Sequence, residues 1–208
     1  MNPLRLYVDS RFISPYAMSV FVTLIEKGVD FQMITVDLQA LENQTEAYAA
    51  LSQTQRVPTL ADSDFVLSES SAITEYLENA YPQFPVYPRE VRLLAKARQV
   101  QAWIRSDLLP IREERSTLVV FYGEKSGPLS PAASTAANKL FQAAEALLKD
   151  GAEYLFGEWS IADVDLALML NRLILNGDPV PAALVAYAQR QWQRPSVQTW
   201  VALQRPPL

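Results

Sequence analysis

Three prolines fall within seven residues, at Pro82, Pro85 and Pro88. Each removes a backbone N–H and fixes φ, so neither a regular helix nor a central strand can run through this stretch. Residues 82–89 therefore read as a stiff linker. The pattern of the chain changes across it. Before the linker, strand signals alternate with helix signals; after it, strand signals nearly vanish. Two domains follow, 1–81 and 90–208, and 208 residues are enough to build both.

In the first domain, Leu4, Leu6 and Val8 alternate with Arg5, Tyr7 and Asp9, which predicts a strand within Met1 to Ser10. Ser14 suits a helix N-cap and Pro15 the first helical position, so Pro15 to Lys27 reads as a largely buried helix that Gly28 stops. Phe31 to Val36 is a second strand, and Ala40 to Leu51 is irregular or short-helical. Val57 to Leu60 and Phe65 to Leu67, joined through Asp62-Ser63-Asp64, form an antiparallel hairpin. Ser68 to Ala80 reads as a helix with an apolar stripe of Ala72, Ile73, Tyr76 and Leu77. The order β-α-β-(α)-β-β-α is that of a thioredoxin-like α+β domain.

Past the linker the pattern is all-helical. Val91 to Leu109 is a long helix that Pro110 should kink or end, and Pro131 to Asp150 is amphipathic. Ile161 to Leu175 is apolar almost all round, which predicts a buried central helix. Pro181 to Trp192 and Pro195 to Leu203 close the chain.

Composition narrows the chemistry. The chain has neither cysteine nor histidine, so disulfides, thiolate nucleophiles, Ser-His-Asp catalysis and the usual zinc sites are excluded within it. Reactions must come from hydroxyls, carboxylates, Lys or Arg, or from a bound small molecule; no metal is expected. With 18 basic and 23 acidic residues the net charge is −5, which argues against nucleic acid and anionic membrane surfaces as partners. No apolar run approaches the ~20 residues of a membrane span. The start lacks the layout of a signal peptide, so a cytoplasmic location is the default expectation.

Three places carry candidate chemistry. Ser14 opens a helix directly after the first strand; capping alone explains a Ser-Pro opening, but the same helix N-terminus would stabilise an anion. Val57-Pro58 opens the third strand, either as an edge marker or as a cis bond that presents a backbone to an added peptide. Leu67-Ser68-Glu69-Ser70-Ser71-Ala72-Ile73 joins a strand to a helix. Either it is a run of capping residues, or it holds a carboxylate on N–H groups and hydroxyls while Glu69 takes an ammonium.

Together these motifs resemble the glutathione transferase superfamily, through Ser14-Pro15-Tyr16, Arg56-Val57-Pro58-Thr59-Leu60, Glu69-Ser70-Ser71-Ala72-Ile73 and Ser160-Ile161-Ala162-Asp163. The likeness covers nearly the whole chain, looks closest to a bacterial serine-type branch, and implies a cytosolic two-fold homodimer. It implies that glutathione is the co-substrate. Val57 would pair with its cysteinyl backbone, Glu69 and Ser70 would hold its γ-glutamyl end with Arg56 nearby, and Ser14 would donate its hydroxyl to the sulfur. Tyr7, inside the first strand where tyrosine-type members keep their catalytic residue, is the rival to Ser14. Ser160 and Asp163 would form a capping box for the buried helix.

The implied chemistry is attack by a bound thiolate on an electrophile, a peroxide or a disulfide. Lowering a thiol pKa from about 8.5 by about two units takes about 2.7 kcal/mol, which one charge-assisted hydrogen bond and a helix N-terminus can supply. The electrophile would meet Tyr16 and the first long helix of the second domain, where Trp103, Arg105 and Arg112 stand near Pro110; a solvated charged face and a core tryptophan explain the same residues. Two alternatives remain: a non-catalytic scaffold with this fold, and a glutathione-dependent isomerase or dehalogenase.

Overall fold

The computed structural model of the protein describes residues 4–208, so the first three residues of the Met1–Ser10 segment lie outside the described residues. The chain divides into two compact units. One runs to Val86 and takes back Gln198–Leu208; the other is Tyr87–Val197.

The first unit is built on a four-stranded sheet of order β2-β1-β3-β4, from β1 (Leu4–Asp9), β2 (Phe31–Val36), β3 (Thr59–Asp62) and β4 (Phe65–Ser68). β1 and β2 are parallel because helix α1 (Pro15–Glu26) carries the chain back between them. β3 runs antiparallel to both β1 and β4. Between β2 and β3 lie a 3-10 turn (Glu42–Gln44) and a short helix α2 (Glu46–Leu51), and α3 (Ser70–Ala80) follows β4. Leu6, Val8 and Leu60 on the strands pack with Met18, Val20, Leu24, Ile73 and Leu77 on α1 and α3, all of them sealed from solvent. The unbroken burial from Ala17 to Leu24 shows α1 covered on every side, as its apolar run predicts.

Gly28, with φ +62°, ends α1 in the left-handed conformation that lets the chain turn. Just before it, the Lys27 side chain is fully buried. Its ammonium donates to the Tyr81 and Phe84 carbonyls at 3.0 Å each and lies 2.6 Å from Glu78 Oε2. The Val86 N–H also donates to that Glu78 oxygen. One buried cation thus ties the end of α1 to the proline-rich segment after α3. Removing it leaves two carbonyls and a carboxylate short of a donor. Glu78 retains some contact with water, so Lys27→Met should cost about 2–3 kcal/mol, readable in denaturant unfolding.

The second unit is helical: α4 (Val91–Asp107), α5 (Leu109–Glu114), α6 (Thr117–Tyr122), α7 (Pro131–Leu147), α8 (Ile161–Ile174) and α9 (Ala182–Trp192), with α10 (Pro195–Val201) spanning the return to the first unit. Pro110 ends the long helix as expected, standing in the first turn of α5. α8 is the buried axis, with Ile161, Leu166, Ala167, Leu170 and Leu173 essentially solvent-free. A buried Arg115 holds the far side together. It grips Asp178 with two donors at 2.6 and 2.7 Å and reaches the Gly127 carbonyl, while Arg172 donates to the carbonyl of Arg115 itself.

Candidate functional site

The carboxyl end of β1, the amino end of β3 and the carboxyl end of β4 coincide. Tyr7 pairs with Thr59, and Thr59 with Ser68. Ser14, Val57, Glu69 and Ser70 follow or precede those strand ends, so the sheet brings them to one edge of the unit on three adjacent strands.

Ser14 caps α1. Its Oγ accepts from the Ala17 N–H at 3.2 Å, and Pro15 occupies the first helical position. A hydroxyl has one proton to give and two lone pairs to receive with. The cap uses a lone pair; among the described residues nothing accepts the proton. The loop leading to Ser14 is fixed by Asp9, whose buried carboxylate accepts from the Ile13 N–H at 2.8 Å and the Ser14 N–H at 2.9 Å. Asp9 was missed by the sequence reading, which has it only among the residues alternating with the apolar face of the first strand. A carboxylate closing a strand ahead of a tight loop is a usual acceptor for loop N–H groups.

The Val57–Pro58 bond, left open by the sequence, is cis. The loop before it is pinned by buried hydroxyls. Thr59 Oγ1 lies 2.9 Å from both Ser52 Oγ and the Arg56 carbonyl, and the Tyr48 hydroxyl donates to that carbonyl at 3.1 Å. Burial pushes the Tyr48 phenol above its ordinary range. Arg56 itself is exposed beside Val57. Among the described residues no backbone group pairs with the Val57 N–H or C=O, which leaves a strand edge open to an extended peptide.

Glu69 precedes α3 with φ +73° and ψ 112°, outside the regions a side-chain-bearing residue prefers, at a cost of order 1–3 kcal/mol. Its carboxylate is exposed and has no partner among the described residues, whereas Ser70 is buried at the first helical position. The first N–H groups of α3 are open because the helical ladder begins only at Ile73 N–H to Glu69 C=O. A cavity of about 220 Å³ beside Glu69 is lined by Gln53, Thr54, Leu67 and Ser68.

The rival hydroxyl, Tyr7, lies on β1 with its ring edge-on to Tyr48 at 6.1 Å between centroids. Tyr16 is half-buried in the first turn of α1. The other expected substrate residues belong to the second unit. The Trp103 indole N–H donates to Asp107 at 2.9 Å, and Lys139 beside Asp107 holds its carboxyl below the usual carboxylate range. Arg105 pairs with Asp165 at 3.0 Å, an oxygen it shares with the Gln101 amide, and Arg112 is half-buried on α5. Among the described residues no cluster of acidic side chains could hold a metal, and no helix is long and apolar enough to cross a membrane.

A thioredoxin-like sheet unit followed by an all-helical unit, with a Ser-capped helix, a cis-proline loop and a Glu-Ser helix start on one sheet edge, defines a class of two-unit fold. The match to family models fixes which. Residues 13–80 match the glutathione S-transferase N-terminal domain and residues 90–205 the glutathione S-transferase C-terminal domain, and the chain belongs to the glutathione S-transferase family. A solved glutathione transferase homolog from Burkholderia, carrying bound glutathione, is 46% identical, with a TM-score of 0.78 over 96% of each chain. A bacterial zeta-class maleyl pyruvate isomerase is 25% identical, with a TM-score of 0.76 over 96% of this chain and 98% of that one. Glutathione S-transferase theta-1 of Bos taurus is 32% identical over 134 residues, 62% of this chain and 53% of the bovine protein. The matched stretch thus spans about half the length of that relative.

Proposed function

We propose that the chain binds glutathione along the shared edge of β1, β3 and β4, and that Ser14 donates its hydroxyl to the sulfur so that the thiolate attacks an electrophile. The observation that carries this reading is the coincidence of the three strand ends. Adjacent strands lie about 4.8 Å apart, so β1 to β4 spans about 10 Å, the reach of an extended tripeptide. In this reading the peptide pairs with the open backbone of Val57, its γ-glutamyl carboxylate meets Ser70 and the N–H groups opening α3, and its ammonium meets Glu69. Arg56 is at hand for the carboxylate of the far end. The uncommitted proton of Ser14 is what a sulfur anion needs. The bound thiolate acts as nucleophile and Ser14 stays a neutral donor.

A serine-type transferase of the cytoplasm, working as a homodimer with a small electrophile, is the form we favour. Peroxide and disulfide reduction are open to the same thiolate. The likeness to a maleyl pyruvate isomerase gives isomerisation a place beside transfer. A scaffold role is less favoured because Ser14, Val57, Glu69 and Ser70 are all present and exposed polar groups remain uncommitted at the site.

Isothermal titration with glutathione separates the readings. Saturable binding that weakens about tenfold or more in Glu69→Gln is expected, since an ammonium–carboxylate contact is lost. No binding by the wild-type chain would favour the scaffold. Turnover with an aromatic halide, a hydroperoxide, a mixed disulfide and a cis-dienoic acid then sorts the reactions.

A further inference from the structure

We propose that Arg205 is a positioning residue for Ser14, acting through the carbonyl of Phe12. This deepens the reading above and rests on Ser14 facing the sulfur. The end of the chain returns to the first unit, and there it meets the loop between β1 and α1. Three observations converge on Phe12, two residues ahead of Ser14. Its backbone has φ +52°, a left-handed conformation that a residue with a bulky side chain holds only when its surroundings enforce it. Its ring stands edge-on to Trp200 at 5.9 Å, and Trp200 is fully buried against Phe21 as well. Its carbonyl accepts from the Arg205 guanidinium at 3.2 Å.

The guanidinium does more than reach one carbonyl. It also donates to Val201 and Leu203 at 2.9 Å and to Trp200 at 3.1 Å. Arg205 thus closes the end of α10 and fastens it to the loop in one planar group, which an ammonium cannot copy. From inside the unit the Asp9 carboxylate holds Ile13 and Ser14, and from the other side Arg205 and Trp200 hold Phe12. Residues 12–14 are therefore fixed at both ends, and the position of the Ser14 oxygen is fixed with them. A loop freed at Phe12 can relax its left-handed turn and move Ser14 relative to the sulfur, while Val57, Glu69 and Ser70, on other strands, stay where they are.

The test pairs Arg205→Ala and Arg205→Lys with Ser14→Ala. Three quantities are read: the pH titration of thiolate absorbance for bound glutathione, kcat/KM against pH, and affinity for S-methylglutathione, which has no thiol to ionise. Both Arg205 variants are expected to raise the thiol titration by about one pH unit, which lowers kcat/KM about threefold at neutral pH, approaches about tenfold at lower pH and fades at high pH. Affinity for S-methylglutathione is expected to stay within about twofold, because the head-group contacts do not involve the loop. A wild-type titration in Arg205→Ala, with a shifted one in Ser14→Ala, overturns the clamp and leaves the serine reading standing. A wild-type titration in Ser14→Ala overturns both. Full recovery in Arg205→Lys also overturns the clamp, because it would mean that the positive charge alone matters. Parallel loss of S-methylglutathione affinity would mean a general loosening of the unit and would equally count against the proposal.

Discussion

Ser14→Gly is expected to lower kcat/KM at neutral pH by about tenfold to a hundredfold, the worth of one hydrogen bond to a charged acceptor, about 1.5–3 kcal/mol. Glycine is the informative replacement. As a helix cap it costs only a few tenths of a kcal/mol relative to serine, whereas alanine costs about 1 kcal/mol, so stability and chemistry come apart. Ser14→Thr keeps both the cap acceptor and the donor and should stay close to wild type if the pocket admits a methyl group. The loss in the glycine variant should shrink as pH rises. A serine donor would favour the thiolate over the thiol, so its removal would raise the thiol pKa, and above that raised value the sulfur would be ionised without help. Affinity for S-methylglutathione should hardly change. Equal activity in wild type and Ser14→Gly across the pH range would remove serine from the chemistry and turn attention to Tyr7.

The expected size depends on a feature of the loop that composition does not reveal. A donor that must be ordered at the moment of reaction loses part of its worth to entropy; one already held in place does not. Asp9 holds the Ser14 N–H at 2.9 Å, and the first turn of α1 uses the oxygen as its cap. In the proposed reaction the hydroxyl would thus enter with its oxygen fixed and one proton to direct. Asp9 is also a buried carboxylate close to where an anion would sit. Its two N–H donors offset part of that charge.

Elements with strong local signals were legible in the sequence. Helix α1 has a cap, a proline and a glycine stop; α8 has its apolar run; the hairpin of β3 and β4 has its polar turn. The residues proposed for the site stand out for the same reason, since Ser14, Val57, Glu69 and Ser70 sit at helix starts and just ahead of a strand, where side chains carry local meaning. Thr117–Tyr122 was not. The run Thr-Leu-Val-Val-Phe-Tyr is rich in residues that favour strands, yet it forms α6 because Ser116 caps it, Gly123 ends it with φ +70° and the helical unit offers no strand to pair with. Lys27 and Arg205 were invisible as well. Each acts on residues 50 or more positions away, at Tyr81 and at Phe12, and no periodicity encodes such a meeting. The same holds for the tail itself: Pro195 to Leu203 reads as an ordinary closing helix, and the membership of Gln198–Leu208 in the first unit follows from Trp200 finding Phe12 and Phe21.

Asp163→Ala is expected to be the most damaging single change to stability. The Asp163 carboxylate is fully buried at the third position of α8 and accepts four hydrogen bonds: from the Leu155 N–H at 2.9 Å, the Ser160 N–H at 2.8 Å, the Ser160 hydroxyl at 3.0 Å and the Tyr187 hydroxyl at 2.8 Å. It thus closes the capping box with Ser160, anchors the segment before α8 and ties α9 to α8. Burial pushes its carboxyl above the usual carboxylate range against the pull of these donors, and burial with the neighbouring carboxylate drives the Tyr187 phenol far upward. Alanine would leave two backbone N–H groups, the Ser160 hydroxyl and a phenol buried without this acceptor, each costing about 1–3 kcal/mol before relaxation. Allowing for water entry, a loss of about 3–5 kcal/mol is expected, or roughly 10 °C in Tm for a protein of this size. Asn offers little rescue, because one of its two heads is a donor and would face donors. Tyr187→Phe removes only one contact and should cost about 1 kcal/mol. Thermal melts of the three variants decide the matter: if Asp163→Ala melts within a degree or two of Tyr187→Phe, the carboxylate is not the anchor of the helical unit.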